Sequence, residues 1–194
     1  QDFKTGHLDF NLGFRRWAFT TSLTYSDYGD LRMGSHGPED YRRLVYQDRI
    51  DGRDTVLRND DPDGQVPTGF SQFNLMQKVR FRPNENWNAT YAFHFSKSSD
   101  VPRYDRLLET RNGQLRNAQW YYGPQKWQMH HFQLLHKGGT ALYDQARLTA
   151  AYQFFEESRH DRRFGEERLR HRTEQVDALS LNLDFDRSLG KRAN

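Results

Sequence analysis

Ser71-Gln72-Phe73-Asn74-Leu75-Met76-Gln77-Lys78-Val79-Arg80-Phe81-Arg82 runs into Pro83-Asn84-Glu85-Asn86 and then Trp87-Asn88-Ala89-Thr90-Tyr91-Ala92-Phe93-His94-Phe95-Ser96-Lys97-Ser98. Phe73, Leu75, Val79 and Phe81 share one parity, opposite Gln72, Asn74, Lys78 and Arg80. After the turn, Trp87, Ala89, Tyr91, Phe93 and Phe95 alternate with Asn88, Thr90, His94 and Ser96. Successive strand side chains point to opposite faces, so the stretch predicts a hairpin with one apolar and one wet side. Each run is about a dozen residues, against roughly five or six in an average strand and about 9 to 11 for a tilted strand that crosses a bilayer. Gln77 breaks the apolar parity, and a β-bulge at this point would move it off that face.

The same alternation recurs outward in both directions. Leu8, Phe10 and Leu12 predict a first strand, and Trp17, Phe19, Leu23 and Tyr25 a second, with Thr20, Ser22, Thr24 and Ser26 on its polar side. Phe132 and Leu134 carry the pattern weakly. Ala146, Leu148, Ala150, Tyr152 and Phe154 resume it, and Leu179, Leu181, Leu183 and Phe185 close it. Between these runs the alternation vanishes over three segments, about 27–70, 99–128 and 156–175, whereas the connections near Phe14, Asn84 and Gly138 are short. Within the first long segment, Asp51-Gly52 between Val45–Ile50 and Thr55–Arg58 predicts a small hairpin with a type I′ turn.

Composition points the same way. Only 35% of the 194 residues are hydrophobic, 28% are charged and the mean hydropathy is -1.07, yet 14% are aromatic. Disordered chains are poor in aromatics, whereas a spanning β-barrel needs apolar residues only at alternate positions. The formal charge of +3 is a small difference between 29 basic and 26 acidic residues and gives no reason to expect nucleic acid. The absence of cysteine excludes a disulfide framework and thiolate metal ligation. Gln1-Asp2-Phe3-Lys4 has no signal-peptide character, so targeting information is expected outside this sequence.

These readings predict an all-β chain, an antiparallel transmembrane barrel segment of about seven strands with short periplasmic turns and long extracellular loops. Trp17 and Trp87 are expected at the periplasmic interface, and Tyr25, Tyr28 and Phe95 toward the outer one. Bacterial single-chain barrels have an even number of strands from eight upward, so about seven predicts an incomplete barrel, a section of a larger wall.

Ser71 to Lys78, the Pro83-Asn84 turn followed by Trp87, Arg103-Tyr104-Asp105-Arg106, Trp120-Tyr121-Tyr122-Gly123-Pro124-Gln125-Lys126-Trp127 and Phe154-Phe155-Glu156-Glu157-Ser158-Arg159 together resemble the barrel of a TonB-dependent outer-membrane receptor. The resemblance covers nearly the whole of 1–194. It implies a barrel of roughly 22 strands, an N-terminal plug, and uptake driven by the TonB/ExbB/ExbD complex; neither plug nor TonB box has a counterpart in this sequence. It implies a non-enzymatic protein without a cofactor, seated in the outer membrane of a Gram-negative bacterium and in contact with its lipid. Such a protein imports a scarce ligand: siderophore-iron, haem, cobalamin or a saccharide.

The candidate ligand-binding residues are Tyr104, Arg106, Trp120, Tyr121, Tyr122 and Trp127, which combine aromatic faces with guanidinium donors. The same aromatics suit a self-packed loop core or an interfacial belt better still. Lys78, Arg80, Arg147, Asp184 and Asp186 take the wet parity and could face a plug or a solvated lumen. His130 and His131 are adjacent on a strand and so are poorly placed as joint metal ligands; His136 reads as a lumen or loop-base residue. Asp60 to Asp63 faintly resembles a calcium loop but lacks the full spacing and the closing Glu, so a solvated turn is expected. Glu156, Glu157 and Asp161 lie in a charged run with nothing to separate their pKa values, and no catalytic pair is expected. A soluble β-rich module for glycan or nucleic acid, or a passive porin, is the alternative reading.

Overall fold

The computed structural model describes residues 2–188 and is all-β, with antiparallel sheets. Seven long strands follow the chain: β1 (Phe3–Gly13), β2 (Trp17–Tyr28), β3 (Phe70–Phe81), β4 (Trp87–Ser98), β5 (Lys126–Lys137), β6 (Gln145–Arg163) and β7 (Arg170–Asp186). Each pairs with its sequence neighbour in antiparallel register, and β1 and β7 are the open margins, so the sheet does not close. The number of strands and the lack of closure agree with the sequence.

Residues opposite each other across a ladder share a face, so the registers can be followed from edge to edge. One line runs Leu12, Phe19, Val79, Tyr91, Phe132, Ala150, Leu181. The adjacent line, on the other face, runs Asn11, Thr20, Lys78, Ala92, His131, Ala151, Ser180. The apolar parities read separately in the strands therefore coincide on one side of a single sheet. His130 and His131 fall on opposite sides, as their adjacency requires.

No bulge interrupts β3, so Gln77 stays on the apolar face. Its carbonyl oxygen accepts from the Thr21 hydroxyl at 2.7 Å, and its amide nitrogen donates to the Thr20 carbonyl at 3.2 Å. Cross-strand pairing solves what a bulge would have solved.

The sheet has no second layer of its own. Among the described residues only Ala92 and Leu107 are buried apolar side chains, while Leu8, Phe10, Leu12, Leu179, Leu181 and Leu183 stand exposed. The opposite face is knitted by polar contacts: His7 with Thr24 at 2.7 Å, Thr20 to Asn11 at 2.7 Å, Ser96 to Asn74 at 2.8 Å and Arg80 to Asn88 at 2.8 Å. Aromatic rings line the turn end of the apolar side, where Trp17 meets Phe81 at 4.3 Å and Trp87 meets His136 at 4.2 Å. Tyr25 takes the apolar parity as expected, but Tyr28, three residues on, faces the polar side and stacks between Phe3 and Phe70.

Two of the long segments are built structures. In the first, Val45–Ile50 pairs with Arg53–Arg58 through Asp51 and Gly52, whose φ values of 49° and 77° suit the type I′ turn. In the second, Asn117–Tyr122 adds to β6 over Arg159–Arg163, beyond the point where β5 stops. The third differs from expectation: 156–163 and 170–175 are strand, leaving 164–169 as the connection. This ladder is held by charge pairs such as Arg172 with Asp161 at 2.5 Å, and it lacks the apolar alternation that marks the other strands.

Candidate functional site

The loop end of the sheet carries a cap assembled from all three segments. Its anchor is Arg162 on β6, which donates to both carboxylate oxygens of Asp54 at 2.6 and 2.7 Å. Both side chains are only 4% exposed. Asp54 also accepts from the Gly165 backbone N–H at 2.7 Å, and the bond from Arg162 is the main reason its carboxyl is held below the usual aspartate range. The tip of the first-segment ribbon is thereby fixed to the far end of the chain. Arg49 reinforces it through Glu167 at 2.5 Å.

A second polar knot lies between the first and second segments. Arg43, 2% exposed, sits 5.4 Å from the Tyr104 ring centroid and donates to the Gln47 carbonyl oxygen at 2.7 Å. Gln47 in turn donates to the main-chain carbonyls of Leu107 and Asn117, at 3.1 and 2.7 Å. Burial pushes the Arg43 guanidinium down and the Tyr104 phenol up from their ordinary values. Tyr104 is therefore a packing partner, and Arg106 is engaged by Glu109 at 2.6 Å.

Along Asn117–Tyr122 the aromatics divide by parity. Tyr121 lies flat on the His160 ring, with centroids 4.6 Å apart and planes 1° from parallel. His160 also brings its Nδ1 to 2.6 Å from that of His171, so one nitrogen donates and the other accepts. On the other side, Trp120 meets Tyr122 edge-on at 5.1 Å, with the Arg103 guanidinium over both rings at 5.2 and 5.1 Å. Arg103 is held by two bonds to Asp105, at 2.8 and 2.7 Å. Trp127 belongs to neither group. It stands on β5, on the polar face, and donates to Gln153 at 3.3 Å.

Between the ribbon and the second segment lies a half-open cleft of about 260 Å³, lined by Gln47, Arg49, Asp100, Trp120, Tyr121 and Arg162 among others. Two of the six sequence candidates, Trp120 and Tyr121, line it; Tyr104, Arg106, Tyr122 and Trp127 do not. Its two arginines are already neutralised by Glu167 and Asp54. Asp48 and Asp100, which also line it, form no ion pair among the described residues, so the unspent charge is acidic. Such a cleft offers an aromatic edge and hydrogen-bond acceptors, suited to a hydroxyl-rich or cationic ligand rather than a bare anion.

Gln47, Asp54 and Arg162 had no signal in the sequence, because the partners that bind them into the cap include residues 60 to 111 positions away. At Asn59 to Gly64, Asp61 pairs with Arg32 and Asp63 with Arg42, which makes the stretch an arginine-braced turn. No protein-family model, no curated protein and no solved structure matches this chain.

Proposed function

We propose that the chain is a section of the wall and external loops of a TonB-dependent outer-membrane receptor, and that it contributes the cleft to ligand capture. The observation that carries this reading is the apolar band. On β2, β3, β4 and β6 the band spans nine residues each; Trp17–Tyr25 is in register with Phe73–Phe81, and Trp87–Phe95 with Ala146–Phe154 through β5, the second pair offset by two residues from the first. Eight steps of strand make about 26 Å, and a spanning strand tilted by about 45° uses about 9 to 11 residues. A soluble sandwich would need a second sheet over these side chains, and lipid supplies the same cover with no further protein.

On this reading the polar face, with Lys78, Arg80, Arg147, Asp184 and Asp186, looks into the lumen toward a plug. The TonB/ExbB/ExbD complex powers transport through that plug, and the protein performs binding and passage rather than bond chemistry. The acidic, aromatic cleft favours a saccharide or other hydroxyl-rich ligand over an anionic chelate. The test is detergent dependence combined with quenching of Trp17 and Trp87 fluorescence by brominated lipid. The expected result is aggregation on detergent removal and quenching in vesicles; a soluble monomer without detergent would overturn the reading.

A further inference from the structure

One rung of the apolar face departs from the rest of the band. At its loopward edge the registers run Gly6, Tyr25, Phe73, Lys97, Lys126, Glu156, Gln175. Lys97 and Lys126 are direct ladder partners, so two ammonium groups stand side by side on the face that otherwise carries Phe95, Phe93 and Phe154. Like charges directly opposite in a ladder repel. Neither lysine forms an ion pair or side-chain hydrogen bond among the described residues. Lys97 has Phe73 as its other partner; Lys126 has Glu156, whose carboxylate accepts from the Gln175 amide. The Lys126 ammonium rises over the Phe154 ring, 5.6 Å from its centroid. Lys4, on the same face, has Asp27 directly across and no lysine beside it, whereas Lys126 stands between Lys97 and Glu156.

A repelling pair of cations above an aromatic shelf is relieved by an anion placed between them. The shelf and the band below it limit that anion to one attached to something apolar. We propose that Lys97 and Lys126 form a site for the phosphate headgroup of a membrane lipid, whose acyl chains lie down the Phe95, Phe93 and Phe154 surface. This rests on the wall reading above. The phosphate accepts from both ammonium groups as charge-assisted hydrogen bonds, and the chains cover apolar area that no protein covers.

The test uses the protein purified in neutral detergent, with native mass spectrometry counting bound phosphatidic acid against phosphatidylcholine of equal chain length. Wild type is expected to prefer phosphatidic acid by about tenfold, the order of one strong charge-assisted contact. Lys97→Gln/Lys126→Gln should lose the preference, Lys97→Arg/Lys126→Arg should keep it, and Lys4→Gln should leave it unchanged. Circular dichroism of each variant checks that the sheet is intact. Inorganic phosphate should not displace the lipid; displacement would make this a free-phosphate site and overturn the lipid assignment. Equal retention by the double Gln variant overturns the site while leaving the wall reading standing. A protein that stays monomeric without detergent overturns both.

Discussion

The β3–β4 hairpin and the outer half of the β6–β7 hairpin are the same object by backbone, two antiparallel strands in unbroken register. Their side chains do opposite things. Within β3–β4, from Phe73 on, one parity is apolar apart from Gln77 and Lys97, with Phe73, Trp87 and Tyr91 exposed and its other apolar members half-buried, and no second sheet packs upon it. Beyond Glu156 the β6 strand turns polar on both faces, takes Asn117–Tyr122 alongside, and binds the ribbon through Arg162. The buried residues follow this division: Arg43, Asn59, Leu107, Asn117, Ser158 and Arg162 all belong to the cap, against Ser26, Ala92 and Ser98 in the wall. The wall has faces without a core, whereas the cap has a small core made mostly of polar groups. On the proposed reading the first draws its stability from its surroundings; the second draws it largely from internal hydrogen bonds, although Arg43 Nε and Arg159 Nε are buried without a partner.

The largest effect expected from breaking this contrast is at the cap's anchor. Arg162→Ala leaves Asp54 buried without its cation and should cost about 3 to 5 kcal/mol of ribbon docking. Hydrogen exchange should rise over 45–58 and stay unchanged in β3 and β4; unchanged ribbon protection would show that another contact organises the cap. In the wall, Phe93→Arg should cost about 2 to 4 kcal/mol in a bilayer, the range for a cation on the lipid face. Thr90→Arg on the opposite face should cost little, and denaturant unfolding in vesicles compares them. Equal costs would mean that the two faces do not meet different solvents.

Acid separates the regions in another way. Because Asp54 is depressed in the folded state, its contribution is present above its unfolded value of about 3.9 and is lost as pH falls through the lower folded value. Pepsin should therefore spare the ribbon at about pH 4.5 and cut it near pH 2, whereas Asp54→Asn should be cut at both. Trp120→Ala should weaken binding of a hydroxyl-rich ligand by about tenfold, with an aromatic contact worth about 0.5 to 1.5 kcal/mol beyond its area. Unchanged calorimetric affinity would remove Trp120 from the site. The smallest effect is expected at the pair of exposed Arg172 with half-buried Asp161, where Arg172→Ala should change stability by about 1 kcal/mol or less.

Sequence alternation was legible wherever one face of a strand differed from the other, as from Phe73 to Phe81. It failed over 156–175 because Glu156 to Arg163 has no apolar side, and the ladder there is selected by charged and polar partners in β7. It also located the aromatic cluster without dividing it. Periodicity puts Trp120 and Tyr122 together and Tyr121 opposite, but only the pairing with β6 puts His160 under Tyr121.

By itself the sequence determined the seven long strands, their order, their two chemically distinct faces and the turn at Asp51-Gly52. All of these depend on residues within a few positions of one another. Tertiary structure alone decided that seven apolar parities fall on one side, that Gln77 is satisfied by Thr21, and that Asp54 meets Arg162. It also brought Lys97 and Lys126 abreast. Those outcomes depend on register between strands and on contacts more than 100 positions apart, 108 between Asp54 and Arg162, which no local pattern specifies.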